Sequence, residues 1–148
     1  MTSPTIKLTA RPKPGQGVEH MALRIVAAGL GSREIHRILQ GFGPDRVSAR
    51  VTSDIEGARA VERGEADYYL GACYSGQGGA LAAAIAILGL ASTSMVGTPG
   101  RGLDRVKVAE AVERGVRAFG MTQDQIADAV PAIVGLLLAR DAATEAQP

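Results

Sequence analysis

The sequence has little from which a crosslinked or metal-bound framework could be built. It contains one cysteine and two histidines in 148 residues. A single cysteine excludes an internal disulfide, and Cys73, His20 and His36 do not have the spacing of zinc ligands. We therefore expect neither a structural metal nor a cofactor.

An excess of charge of one sign is also lacking. Sixteen Lys and Arg residues stand against fifteen Asp and Glu residues, and the formal net charge is +1 at pH 7. A charge this small does not favour nucleic acid or an anionic membrane surface as a partner. Any binding of anions must therefore be local.

Long apolar runs are the third absence. The first twenty residues, MTSPTIKLTARPKPGQGVEH, lack the continuous apolar region of a secretion signal. The longest apolar run, Ala80 to Leu88, is far shorter than a membrane span. These absences predict a cytoplasmic protein.

What is present is the composition of one soluble globular domain, with 46% hydrophobic and 21% charged residues. Residues 1–18 carry three Pro and two Gly without a periodic pattern, which predicts a flexible N-terminal tail. A single α/β domain is expected over 19–140, followed by a frayed tail over 141–148.

Short β-like runs alternate with helix-like runs from Met21 onwards, which is typical of a mostly parallel α/β sheet. We predict a three-layer Rossmann-like fold with five strands in the flavodoxin-like order 2-1-3-4-5. The predicted strands cover residues 21–29, 45–51, 66–72, 91–97 and 116–121. Helices are expected between and after them, with N-terminal caps at Ser32, at Ser53 with Glu56, and at Thr122 with Gln125, and with Pro131 kinking or splitting the last helix.

The helix predicted over 79–88 is apolar all round. In a soluble chain this pattern indicates burial on more than one side, either as a central helix or in a subunit interface. We expect a homo-oligomer formed through this helix.

Two glycine-rich loops form the candidate binding site. GLGS (29–32) follows the first strand and CYSGQGG (73–79) follows the third, and the predicted order places them side by side at the carboxyl edge of the sheet. Free N–H groups and the positive end of a helix attract phosphate or carboxylate there. The alternative is that these glycines only permit tight turns and close helix packing. The candidate ligand-binding residues are Gly29, Gly31, Ser32, Tyr74, Gly76, Gln77, Gly78, Gly79 and, from the loop after the fourth strand, Arg101.

Cys73 is the candidate catalytic group, because a thiol near a helix N-terminus loses its proton more readily and can act as a base or nucleophile. Ser75 is a candidate hydrogen-bond donor to a substrate oxygen. The alternatives are that Cys73 is a small buried hydrophobic residue and that Ser75 caps the following helix.

The segments DYYLGACYSGQGGALAAAIAILG and VERGVRAFGM carry a family resemblance. Through them, the chain from Met21 to about Arg140 resembles the YhfU-type family of small glycine-rich bacterial proteins of unknown function. This resemblance implies a Rossmann-like α/β fold and bacterial operons that pair the protein with a membrane protein and metabolic enzymes. It implies no established activity.

The segment from Asp67 to Ala83 is also similar to the active-site turn of the ribose-5-phosphate isomerase B family, where Cys-Gly-Thr-Gly-x-Gly follows a strand. The resemblance implies that Cys73 acts as the base, that Ser75 replaces the Thr, and that Gly76 and Gly78 form an anion hole. AFG at 118–120 resembles a strand near the C-terminus of that family. The family's Asp-His pair after the first strand is missing, since Ala28, Gly29 and Leu30 occupy those places, and Tyr74 replaces a Gly.

We therefore predict a protein that binds a small anionic metabolite, such as a sugar phosphate or a sugar or amino acid. The prediction extends to isomerase-like acid–base chemistry at Cys73. One alternative is a non-catalytic cytoplasmic subunit of a carbohydrate or amino-acid uptake cassette, with a membrane transporter as partner. A further alternative is a phosphocysteine carrier at Cys73.

Overall fold

The alternating pattern of the sequence produces five parallel strands with helices between them. The structure, a computed structural model, describes residues 21–74, 81–98 and 100–145. The predicted tail over 1–18 and most of the loop CYSGQGG lie outside the described residues. In chain order, the elements are β1 (Leu23–Gly29), α1 (Ser32–Gln40), β2 (Val47–Val51), α2 (Asp54–Glu62), β3 (Tyr68–Cys73), α3 (Ala82–Leu88), β4 (Thr93–Met95), β5 (Gly97–Thr98), β6 (Gly102–Leu103), α4 (Arg105–Arg114), β7 (Ala118–Thr122) and α5 (Ile126–Glu145).

The predicted fold class is confirmed, but the strand order differs. The main sheet has the order β2-β1-β3-β7-β4, with every neighbouring pair parallel. The predicted order 2-1-3-4-5 is wrong for the last two strands, because β7 pairs with β3 and β4 is left at the edge. The composition agrees with the exchange: β7 has five buried residues with one hydroxyl, that of Thr122, whereas β4 has three residues and two of them, Thr93 and Ser94, carry hydroxyls. A central parallel strand is covered on both faces and is therefore more apolar.

The helices divide into two layers because parallel crossovers are right-handed. The connections β1–β2 and β4–β7 run in one direction along the sheet, and β2–β3 and β3–β4 run in the other. Accordingly, α1, α4 and α5 pack on one face over a core that includes Ile35, Val112 and Ile133. The opposite face is covered by α2 and α3, with Val61 and Leu81 among the buried residues.

Gly120 allows the second layer to lie close to the sheet. A Cβ atom at this position would collide with Met95 Sδ and would lie 2.8 Å from Leu81 Cγ. The side chains of Leu81 and Met95 thus occupy the space above the centre of β7. The missing side chain at Gly120 is what brings the start of α3 and the edge strand β4 together over it.

The helix ends agree with the predicted capping in most places. The Ser53 hydroxyl accepts a hydrogen bond from the Glu56 N–H at 3.2 Å, and Thr122 with Gln125 forms a capping box. Ser32 was expected to be the cap of α1 but is its first helical residue, and the cap is Gly31 in a left-handed conformation. The expected split at Pro131 does not occur, since α5 is one helix through that residue.

Within the described ranges, none of the helices has both the length and the apolar character needed to cross a membrane.

Candidate functional site

The ends of β1 and β3 lie side by side at the carboxyl edge of the sheet, where we predict a binding crevice. The two strands are neighbours, and Gly29 pairs with Ala72. The helix after β1 packs on one face of the sheet and the helix after β3 packs on the other, so the two connections lead to opposite faces. Such a divergence is where open α/β sheets bind their ligands. The predicted juxtaposition of Gly29 and Cys73 is therefore present.

The start of α1 has no side-chain cap. Gly31 precedes the helix with φ 77° and has no side-chain hydrogen bond to the first turn. By contrast, Ser53 caps α2 and Asp104 caps α4, where its carboxylate accepts from the Lys107 N–H at 3.0 Å. Because a glycine cap has no side-chain acceptor, the N–H groups in the first turn of α1 receive no hydrogen bond from a cap side chain.

Cys73 is the last residue of β3 and not the first residue of the loop. It is half-buried and pairs with Thr122 of β7. Strand alternation places its side chain on the same face as Tyr69, the face covered by α2 and α3. Tyr74 follows with 76% of its surface exposed. The other candidates of this loop, Ser75, Gly76, Gln77, Gly78 and Gly79, lie outside the described residues.

The segment after β7 belongs to this edge, and sequence reasoning did not include it. A Cβ atom at Gly31 would lie 2.6 Å from Ile126 Cδ1 and 3.6 Å from Gln123 Cγ. The loop after β1 therefore rests directly on the start of α5. The capping-box spacing of Thr122 and Gln125 identified this helix start, but the predicted strand order placed it away from Cys73.

Gln125 joins this segment to the β5–β6 hairpin. Its Oε1 atom accepts a hydrogen bond from the Thr122 N–H at 3.2 Å, and its Nε2 atom donates one to the Gly102 carbonyl at 3.0 Å. Gln125 is buried and packs against Gly97, where no side chain would fit. This side chain fixes the hairpin that carries Arg101.

Arg101 is at the carboxyl edge, as predicted, but it follows the edge strand. It is exposed at the turn of the β5–β6 hairpin. With β7 lying between β3 and β4, one more strand separates Arg101 from Cys73 than the predicted order implied. The structure therefore places Gly29 beside the end of β3 and leaves Arg101 at the periphery. The Cys73 side chain lies on the opposite face of the sheet from α1, the helix that begins at Ser32.

Comparisons with known proteins identify the family. Residues 23–137 match the model of a family described as "Protein of unknown function DUF2620". The "Uncharacterized protein YhfU" of Escherichia coli (strain K12) is 31% identical over 114 residues, which are 77% of this chain and 97% of the relative. The chain belongs to this YhfU-type family. The YhfU proteins of Escherichia coli O6:H1 and Shigella flexneri match with the same identity and coverage.

No solved structure matches the chain. The names of the YhfU-type relatives indicate no activity, ligand or partner. The resemblance of the turn after β3 to the isomerase family stays a prediction from sequence.

One partly buried polar pair links β3 to α2 in this YhfU-type chain. The Tyr69 hydroxyl donates a hydrogen bond of 3.5 Å to Asp54 Oδ1 at the start of α2. Burial raises the pKa of the Tyr69 phenol, and the negative charge and hydrogen bond of Asp54 raise that pKa further. The phenol is therefore a neutral donor over the whole physiological range. It supports the start of α2 and does not supply a base.

Proposed function

We propose that the protein binds a small anionic metabolite, a sugar phosphate or the carboxylate of a sugar acid or amino acid, in the crevice between Gly29–Ser32 and the end of β3. The observation that carries this proposal is the uncapped start of α1 at the point where the β1 and β3 connections diverge. N–H groups at a helix start, together with the positive end of the helix, suit a phosphate or carboxylate oxygen.

The surroundings of α1 support a binding site that is formed before the ligand arrives. Gly31 rests on Ile126 and Gln123, so the loop after β1 is held by the start of α5. Gly29 has φ 81°, and a Cβ atom there would lie 2.7 Å from the Ala72 carbonyl oxygen. The backbone at both glycines is thus set by packing against neighbouring strands and helices. A loop held in this way loses little conformational entropy on binding.

Ser32→Asp separates binding from stability. A carboxylate at the first position of α1 interacts favourably with the helix dipole, so the fold should be preserved or slightly stabilised. The same charge repels an anion at the helix start. Val106→Asp is the matched control, because it introduces the same charge into the first turn of α4, whose cap is already filled by Asp104.

The measurement is thermal unfolding with inorganic phosphate, sulfate and a panel of sugar phosphates, sugar acids and amino acids. A ligand at about 100 times its Kd should stabilise the wild-type protein and Val106→Asp by about 2.7 kcal/mol. Ser32→Asp should lose this stabilisation. The proposal fails if no member of the panel stabilises the wild-type protein, or if Ser32→Asp responds as the wild type does.

The Cys73 thiol is the acid–base group of the proposal. It lies at the end of β3, beside the strand that carries Gly29. For a bound carbonyl compound, the thiolate would take a proton from the carbon next to the carbonyl and return it. Wild-type protein should exchange this hydrogen with solvent deuterium, and Cys73→Ser should slow the exchange at least ~100-fold while still binding the ligand. Binding without exchange in the wild type removes the acid–base role and leaves the binding proposal intact.

A further inference from the structure

The surface of α3 lacks the polar side chains that the outer face of a surface helix normally carries. No Asp, Glu, Lys or Arg occurs between Asp67 and Arg101. Within the described part of this stretch, five residues after Leu81 are exposed: Ala82, Ala86, Gly89, Leu90 and Ala91. We call these five residues the α3 face. None of them has a polar side chain.

None of the residues that the structure describes covers the α3 face. The apolar composition of this helix predicted either a central helix or a subunit interface, and α3 lies in the outer layer. Leu90, in the short 3-10 turn after α3, has 72% of its surface exposed. The central-helix alternative is therefore wrong, and the apolar outer surface requires another explanation.

The charges around the α3 face favour a second copy of the same chain. α3 packs beside α2. The exposed charged residues of α2 and of its C-terminal cap are Glu56, Arg59, Glu62 and Arg63, two of each sign. An interface on a two-fold axis meets its own copy, so its rim must be able to pair with itself. A rim of both signs around an uncharged centre meets this requirement, and it has the apolar core and polar rim of a protein interface.

The same distribution disfavours a lipid surface. A membrane-binding helix carries Lys or Arg beside its apolar side for the anionic headgroups. α3 has seven residues, and no basic residue lies between Asp67 and Arg101. We infer that the α3 face is the interface of a homodimer, in which α3 and Leu90 of two copies pack against each other.

The dimer is tested by measuring the molar mass of the full chain by size-exclusion chromatography with light scattering, over a range of concentrations. The expected mass is twice the 15.3 kDa of one chain. Leu90→Arg places two positive charges in an apolar interface and should raise the dissociation constant at least ~100-fold. Ala86→Arg should do the same from the middle of α3.

Val106→Arg is the matched control. Val106 is apolar and 68% exposed, but it lies on α4, on the other side of the sheet. This variant should remain a dimer, and circular dichroism should show that all three variants are folded. A monomeric wild-type chain would overturn the inference, even if it binds another protein. Dimers that persist in both Leu90→Arg and Ala86→Arg would overturn it as well, because they would require a different interface.

Discussion

Tyr69 shows how strongly the fold changes the chemistry of a single side chain. It is fully buried in β3, and its hydroxyl has the Asp54 carboxylate as acceptor. Burial, followed by the charge of Asp54, raises its pKa above the ordinary value of 10.0. The native state therefore holds the phenolic proton at pH values where the unfolded chain releases it.

This difference predicts a loss of stability in alkali. Above pH ~10 the native state binds more protons than the unfolded state, so the free energy of unfolding falls by up to about 1.4 kcal/mol per pH unit. Below pH ~10 the contribution of the raised pKa is fully present. Urea unfolding of the wild type and of Tyr69→Phe between pH 8 and pH 11 measures the effect.

Tyr69→Phe should lack this part of the pH dependence, whereas Tyr74→Phe, which alters an exposed phenol, should retain it. Equal slopes for the wild type and Tyr69→Phe would show that the Tyr69 phenol does not govern alkaline unfolding.

The residue that caps α1 marks the limit of sequence reasoning at this scale. The spacing of Ile35, Ile38 and Leu39 predicts the helix, and Ser32 is the residue that capping preferences select. Gly31 is the cap because its left-handed backbone fits against Ile126, a residue ninety-five positions later. Capping preferences depend on neighbouring residues in the chain, so they cannot predict a contact between residues so far apart.

At the scale of elements, the β5–β6 hairpin depends on Gln125. The hairpin has two residues in each strand, and such a ribbon has little stability of its own. Gln125 uses one amide to hold both the end of β7 and the Gly102 carbonyl. The hairpin is therefore expected to open when the donor half of this amide is removed.

Gln125→Glu makes that change without altering the shape. The carboxylate still accepts from the Thr122 N–H but cannot donate to the Gly102 carbonyl, and it brings a negative charge against that oxygen. We expect a loss of about 1–3 kcal/mol in the free energy of unfolding. Amide hydrogen exchange between Val96 and Asp104 should also become faster.

The control for this experiment is Gln123→Glu, the same chemical change two residues earlier. This substitution should leave amide hydrogen exchange in the hairpin unchanged, because the Gln123 side chain lies beside Gly31, at the start of α1. An equal acceleration in both variants would mean that charge alone, and not the lost donor, loosens the hairpin.

The elements were largely predictable from sequence where periodicity and capping agree, as for α2 with Ser53 and Glu56. The hairpin was not, because TPGRG has the composition of an irregular loop and its pairing depends on the buried Gln125. α5 continues through Pro131 because the helix is anchored by buried residues on both sides of it, including Val130 and Ile133.

At the scale of the whole molecule, the thickness of the three layers depends on Gly120. A methyl group there meets Met95 and Leu81, whose side chains fill the space between β7 and the α3 layer. Gly120→Ala should lower the free energy of unfolding by about 1–3 kcal/mol through overpacking. Chemical denaturation with urea measures this change.

Gly135→Ala is the matched control, since at this exposed position of α5 no described atom other than those of the adjoining helix lies within 4 Å of the added Cβ. Replacing a glycine inside a helix by alanine should stabilise the protein by about 0.5–1 kcal/mol. The two substitutions should thus have opposite signs. A neutral or stabilising Gly120→Ala would show that Leu81 and Met95 can move aside at no cost.

The fold class could be predicted from the alternation of strands and helices, but the order of the last two strands could not be predicted from alternation alone. The discriminating signal was the composition of the strands. Ala118, Phe119, Gly120 and Met121 contain no polar side chain, whereas Thr93 and Ser94 carry hydroxyls. The pairing of β1 and β3, on which the candidate site depends, was predicted correctly. The third wall of that site, the start of α5, was missed because it depends on β7.

The central place of β7 also has a consequence for biosynthesis. β2, β1 and β3 can pair as soon as residue 73 has left the ribosome, but β4 has no neighbour in the sheet until Ala118–Thr122 arrives between it and β3. At ~5–20 residues per second, that strand is translated on the order of seconds after β4. During this interval the sheet of the nascent chain lacks β7, the strand between β3 and β4, next to the uncharged helix α3. Completion of the sheet is therefore a late step, timed by translation of the C-terminal strand.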